Sequence, residues 1–100
     1  MVDRFVFVKL GDAEASRREQ RARWLSEHLR AAATADVVSV DVGVPADDSA
    51  VRWDISAVIR VTSLDGFRRF AQRPEVDAIM AELASVSAVV KAWTFAHVDG

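Results

Sequence analysis

The sequence predicts an α+β domain in which helices cover one face of a four-stranded antiparallel sheet, with elements in the order βαββαβ. Two observations carry this prediction. Stretches rich in β-branched and aromatic residues, typical of strands, occur at residues 2–10, 37–44, 52–62 and 88–98. Apolar residues recur at helical spacing between the first and second stretches and between the third and fourth. This order is the split-βαβ arrangement of ferredoxin-like folds.

The first strand and first helix have clear boundary signals. We expect the strand to end at Gly11 and Asp12, and the helix to begin between Asp12 and Ser16. Ser16 and Glu19 match a capping box, in which the serine oxygen accepts a hydrogen bond from a free backbone N–H of the first turn. The glutamate side chain in turn accepts one from the backbone N–H of the serine. The apolar stripe of this helix is Trp24, Leu25, His28, Leu29 and Ala32.

Alternating apolar residues predict the second and third strands, and capping and proline signals predict the later helices. On one face of the second strand we expect Val38, Val40, Val42 and Val44. On one face of the third we expect Trp53, Ile55, Ala57, Ile59 and Val61. Ser63 should cap the next helix, and Pro74 should open a further segment, because proline is favoured in a first helical turn.

Length and composition limit the classes of function. One hundred residues suffice for one domain, so residues 1–100 are expected to form a single unit. A net charge of −2 argues against nucleic acid or an anionic membrane surface as a partner. The chain contains no cysteine, so it offers no thiolate for catalysis or metal binding. No membrane span or secretion signal is recognisable, and a cytoplasmic location is expected.

The second face of the sheet is unexpectedly apolar. Helices on one side leave the other to water, where polar residues are expected. Large apolar side chains instead occupy both alternating positions of the first, third and last strands. Burying five or six of them is worth about 1.5–3 kcal/mol each. We therefore predict a homodimer with two sheets packed face to face, and not a monomer that carries these apolar residues on its exposed surface. The interface candidates are Phe5, Phe7, Trp53, Ile55, Trp93 and Phe95.

Five landmarks in order and spacing resemble a known family. They are residues 4–10 (RFVFVKL), 38–43 (VSVDVG), 53–54 (WD), 63–65 (SLD) and 70–74 (FAQRP). Together they resemble the dimeric α/β-barrel domain of the stress-responsive A/B-barrel group over nearly the whole chain. The resemblance implies a ferredoxin-like protomer whose sheet meets its partner's sheet in a barrel-like dimer. The group includes plant stress proteins and polyketide cyclases that hold an apolar chain between sheet and helices.

The same resemblance implies where a pocket would lie. In the cyclase most like this chain, a Tyr and a His around the proline carry the acid–base work, and the matching positions here are Phe70 and Val76. Arg73 stands where many members have a His before the proline, and Arg4 where several have a His on the first strand. Because phenylalanine and valine cannot transfer protons, this chain departs from the cyclase's acid–base pair.

The candidates read from the residues themselves are His28, Arg4 and Trp24. His28 could act as a base at a pocket wall, or be a core or rim residue satisfied by one hydrogen bond. Arg4 could bind a carboxylate or phenolate ligand, or pair with Asp41 or Asp54. Trp24 could line an aromatic pocket, or belong to the core or to an interface.

Two further polar groups are expected to be structural. Asp54 and Arg60 interrupt an apolar strand and are expected to form an ion pair across the sheet or across the dimer interface, with contact to a ligand as the alternative. His97 is expected to be exposed near the end of the last strand. The two histidines lie far apart in the sequence without a paired carboxylate pattern, so no metal site is predicted.

Our hypothesis is a pocket for a small apolar or aromatic, polyketide-like molecule. It includes a cofactorless cyclase- or monooxygenase-like enzyme as one form, with enzymatic activity itself left open. The alternative is a non-catalytic, stress-related dimeric scaffold. RNA binding, which the βαββαβ order also permits, is disfavoured because residues 52–62 lack the aromatic–glycine signature of that module. No cofactor is implied.

Overall fold

The computed structural model describes residues 1–99, and its elements alternate as the sequence predicts. The strands are β1 (Val2–Leu10), β2 (Val37–Gly43), β3 (Ile55–Val61) and β4 (Ser87–Ala96). The α-helices are α1 (Arg18–Ala31), α2 (Leu64–Ala71) and α3 (Pro74–Ser85). The predicted βαββαβ order is confirmed, with the second helical region divided into α2 and α3.

The four strands form one antiparallel sheet in the order β2-β3-β1-β4. The central strand β1 pairs with β3, where Phe5 lies opposite Val58, and with β4, where Phe5 lies opposite Trp93. β2 and β4 form the two edges. Residues that stand opposite each other on paired strands share a face of the sheet, so the facing of a β1 residue also gives the facing of its partners on β3 and β4.

The core lies between the sheet and the helices. Even-numbered residues of β1 and odd-numbered residues of β3 point to the helices, since Val8 and Val61 are both 0% exposed. Leu25, Leu29 and Leu83 enter from α1 and α3 and are each 1% exposed. The buried apolar residues of the strands all lie on this face, and each large one contributes about 1.5–3 kcal/mol.

The starts of the three helices have different causes. Ser63 caps α2 as predicted, since its Oγ accepts a hydrogen bond from the Gly66 N–H at 2.9 Å. Pro74 occupies the first turn of α3, also as predicted. The capping box at Ser16 is wrong, because Ala15–Arg17 forms a short 3₁₀ turn and α1 begins only at Arg18 without a side-chain cap. In a 3₁₀ turn, hydrogen bonds between residues three apart pair N–H groups that would otherwise be free at the start of the helix.

Trp53 and Ile55 do not lie on one strand face, contrary to the prediction. Residues 48–53 form turns, and the Trp53 N–H donates to the Ala50 carbonyl at 3.0 Å. The strand begins at Ile55, which is 1% exposed and faces the helices. Trp53 precedes the alternation and packs instead against Phe7 on the opposite face.

The second strand departs from the prediction at one residue. Its pairing with β3 shifts register between Val37 and Ser39, which leaves Val38 53% exposed. Val40 is buried against the helices and Val42 is partly buried there. A one-residue shift in the pairing turns the side chains before it to the opposite face of the sheet. The predicted set of Val38, Val40, Val42 and Val44 therefore does not share one face.

Candidate functional site

The open face of the sheet, the face without helices, carries an aromatic cluster. We define this cluster as Phe5, Phe7, Trp53, Trp93 and Phe95. The Phe5 and Phe95 rings meet edge to face at 5.7 Å, and Phe7 lies 5.7 Å from Trp53 and 5.9 Å from Trp93. Trp93 is 46% exposed and Phe95 60%. Of the predicted interface residues, Ile55 alone lies on the other face.

A charged network borders this cluster at one end of the sheet. Arg60 donates to both carboxylate oxygens of Asp3, at 2.9 and 3.2 Å, and the His97 ring lies 3.0 Å from Asp3 Oδ2. The hydrogen bond from Arg60, more than that from His97, lowers the pKa of the Asp3 carboxyl, while burial opposes the shift. Asp3 is therefore held as a carboxylate next to an apolar surface.

The predicted ion pair between Asp54 and Arg60 across the sheet is wrong. Asp54 lies in the turn before β3, where its Oδ2 accepts from the Leu10 N–H at 2.8 Å and its own N–H donates to the Val8 carbonyl at 2.8 Å. These bonds continue the β1–β3 ladder one step beyond Ile55. The carboxylate of Asp54 therefore serves to end the sheet.

On the helix side of the sheet, a small cavity of about 90 Å³ lies between β1, α2 and α3. Three predicted pocket residues, Arg4, Phe70 and Val76, line it. The remaining lining residues are mostly apolar: Val6, Leu29, Ile59, Phe67, Ala71, Asp77 and Met80. The position implied by the family resemblance thus contains a cavity between sheet and helices.

Arg4 is the unusual member of this lining. It is half-buried, and its Nη1 donates to Thr94 Oγ1 on the neighbouring strand at 3.0 Å. Its guanidinium carbon lies 5.1 Å from the centroid of the Phe67 ring, a cation–π arrangement. Burial lowers the pKa of Arg4. Among residues 1–99 no carboxylate lies within 4.0 Å of it, so the pairings considered with Asp41 and Asp54 are both wrong.

The other three predicted pocket residues lie elsewhere. Trp24 and His28 stack at 4.6 Å and border a separate apolar groove of about 290 Å³ between α1 and α3. His28 is exposed, and its Nδ1 is 2.8 Å from the Trp24 carbonyl. Arg73 donates to the Ala32 carbonyl at 2.8 Å and to Glu75 at 3.2 Å. The predicted site is therefore split in two, and Arg73 joins α3 to the end of α1.

Seven residues of the lining were not among the predicted pocket residues, and neither was Thr94, which contacts Arg4. Most of the seven are ordinary apolar core residues, such as Phe67 and Met80 of the helical pattern, and Asp77 lies outside that pattern. Thr94 could have been found, because β1 and β4 pair antiparallel and Thr94 stands directly opposite Arg4. Within residues 1–99 no group of three potential metal-ligating side chains occurs, and no helix has both the length and the apolar character needed to cross a bilayer.

No known family model and no curated protein matches the chain. Solved structures with the same fold are numerous. A dimeric ferredoxin-like protein of unknown function from Thermobifida fusca is 21% identical with a TM-score of 0.82, over 96% of this chain and 90% of that one. A hydroxynitrile lyase from Passiflora edulis is 12% identical with a TM-score of 0.81, over 99% and 94%. An antibiotic biosynthesis monooxygenase is 9% identical with a TM-score of 0.73, over 98% and 99%.

These similarities confirm the predicted fold class. The chain is an α+β protein of the ferredoxin-like type, and its structural neighbours include dimeric ferredoxin-like proteins and antibiotic biosynthesis monooxygenases, consistent with the resemblance to the A/B-barrel group. At such identities the likeness establishes the fold and not the activity, because one fold supports many unrelated activities.

Proposed function

We propose that two copies of this chain associate through their open sheet faces, and that each copy binds a small apolar or aromatic molecule in the cavity beside Arg4. The single observation that carries the binding site is a half-buried guanidinium without a carboxylate partner among residues 1–99, at the wall of an otherwise apolar cavity. Few polar groups placed among apolar ones are characteristic of small-molecule sites.

The homodimer is supported by the exposed aromatic cluster. Phe95 and Trp93 leave more than a third of their surface in water, beside Phe5, Phe7 and Trp53 on the same face. Aromatic residues are enriched at interfaces, and contiguous exposed apolar patches mark association surfaces. Two of the structural neighbours, from Thermobifida fusca and Bacteroides fragilis, are described as dimeric. A second copy is the partner that offers a matching face.

The lining of the cavity supports binding more directly than catalysis. A cyclase- or monooxygenase-like reaction without a cofactor needs a group that accepts or donates a proton. Asp77 is the one carboxylate in the lining, and it is exposed at the cavity edge. At about 90 Å³ the cavity is smaller than the roughly 150 Å³ that holds a benzene ring, so an aromatic ligand enters only when the flexible Met80 side chain moves.

Filling the cavity tests the binding site. Benzaldehyde, benzyl alcohol and benzoate serve as probes, with binding measured by thermal shift and by chemical-shift perturbation. Ala71→Leu adds three carbons inside the cavity, while Ala78→Leu adds the same atoms in the separate α1–α3 groove. We expect saturable binding to the wild-type protein and to Ala78→Leu, and its loss in a folded Ala71→Leu.

Two outcomes would contradict the binding proposal. If no probe binds, the alternative of a non-catalytic dimeric scaffold is favoured. If Ala71→Leu binds as well as the wild-type protein and Ala78→Leu does not, the ligand occupies the groove bordered by Trp24 and His28 instead.

A further inference from the structure

Resting on the proposed binding site, we infer that the ligand of the cavity carries a carboxylate, which the Arg4 guanidinium binds. The probe class is therefore a small aromatic acid and not a neutral aromatic of the same size. Arg4 would be the residue that determines this specificity, with Phe67 and Thr94 holding its guanidinium in place.

The Arg4 guanidinium makes few hydrogen bonds within the protein. A guanidinium has five N–H donors, and among residues 1–99 the Arg4 side chain makes one hydrogen bond, to Thr94 Oγ1. Other arginines of the chain are satisfied by acids: Arg21, Arg60 and Arg69 each lie within 3.1 Å of a carboxylate oxygen. The half-buried Arg4 thus lacks the protein counter-ion that the exposed Arg60 and Arg69 have.

The side chains around Arg4 on the cavity wall are mostly apolar. Val6, Leu29, Ile59 and Phe70 offer no polar atom in their side chains, and burial lowers the pKa of Arg4. A charge withdrawn from water is stabilised by an opposite charge with good hydrogen-bond geometry, and is unfavourable without one. An anion entering from the cavity would supply that partner.

The geometry favours a planar anion. The Arg4 guanidinium carbon lies over the Phe67 ring, 5.1 Å from its centroid, and four of its five N–H donors have no partner among residues 1–99. A carboxylate presents two oxygens in one plane and can accept two parallel hydrogen bonds from such an edge. An aromatic ring attached to the carboxylate would then continue into the apolar part of the cavity.

Asp77 acts against anion binding and provides a second test. Its carboxylate is the one negative charge in the cavity lining and would repel a carboxylate ligand, although it is exposed and therefore screened by water. Replacing it with asparagine keeps the shape and removes the charge. A carboxylate ligand should bind Asp77→Asn more tightly, while a neutral ligand should not distinguish the two proteins.

Benzoate and benzamide, which share shape and ring, are the probes for calorimetric or NMR titration. The wild-type protein should bind benzoate at least about tenfold more tightly, the range of a charge-assisted hydrogen bond. Arg4→Gln should abolish this preference, and Asp77→Asn should strengthen benzoate binding severalfold. Arg68→Gln, which removes an exposed positive charge paired with Asp65, is the control and should change neither affinity.

The possible failures are distinguishable. Equal binding of benzoate and benzamide at a site blocked by Ala71→Leu would overturn the carboxylate inference while leaving the binding site intact. Absence of binding by either probe would overturn the binding site itself, and the inference with it. If Arg4→Gln does not fold, Asp77→Asn and Arg4→Lys decide the question: an unchanged preference in Asp77→Asn and full affinity in Arg4→Lys would contradict a bidentate anion site.

Discussion

Removing the Phe95 ring should weaken dimerisation more than any comparable change on the helix side. Phe95 lies on the edge strand β4, 60% exposed, and contacts Phe5 edge to face at 5.7 Å. Phe95→Ala shortens the side chain without adding charge. It therefore tests the loss of apolar contact and not a new repulsion.

The expected size follows from the exposed area. A phenylalanine side chain offers roughly 200 Å², so the exposed part of Phe95 is about 120 Å². At about 25 cal/mol per Å², covering it is worth about 3 kcal/mol. Both copies lose one ring, so full coverage corresponds to about 6 kcal/mol, or about four orders of magnitude in Kd. Half coverage still corresponds to about two orders of magnitude.

Sedimentation across a concentration series measures this Kd. Leu64→Ala is the matched control, because Leu64 is 44% exposed but lies at the start of α2 on the helix side. The wild-type protein and Leu64→Ala should remain dimeric at concentrations where Phe95→Ala is monomeric, with circular dichroism showing that all three are folded. A wild-type protein that stays monomeric and well ordered at high concentration would refute the reasoning.

Two further predictions concern stability. Arg60 lowers the pKa of Asp3, so the ionised Asp3 stabilises the fold above its ordinary pKa of 3.8, and this contribution is lost as pH falls through the lower folded value. The difference in urea stability between wild-type protein and Asp3→Asn should therefore shrink well below pH 3.8, and a difference that persists unchanged there would contradict this. Gly66→Ala should destabilise the fold by about 1–3 kcal/mol in urea unfolding, since its new Cβ would lie 2.9 Å from Asp36 Cβ; a stabilised variant would show that Asp36 yields easily.

Strong local signals made most of the fold predictable. Strand β1 has the predicted bounds, Val2–Leu10, because alternating β-branched and aromatic residues end at a glycine. Ser63 and Pro74 marked the starts of α2 and α3 correctly, since an N-cap hydroxyl and a first-turn proline act within a few residues. The apolar open face was also predicted, because alternation along β1 and β4 depends only on sequence spacing.

Errors arose where distant groups decide the local structure. Trp53 was predicted to be part of the third strand because the apolar alternation extends back from Ile55 to Trp53. The turn between Ala50 and Trp53 and the bonds of Asp54 to β1 make the strand begin only at Ile55. The pairing of Arg60 likewise depends on which residue of β1 stands across from it. That residue is Asp3, 57 positions away, and no local pattern could indicate it.

The candidate site was predictable to the extent that it breaks a local rule. Val2, Val6, Val8 and Leu10 share the helix-facing parity of β1, and Arg4 alone among them is charged. A charge in an apolar row costs stability unless something compensates, so its presence indicates a role other than packing. The odd-numbered aromatic residues of β1, Phe5 and Phe7, lie on the open face, where exposed aromatic residues are typical of an interface. One strand thus carries the arguments for both proposals, and they are separable, because Phe95→Ala alters one face and Arg4→Gln the other.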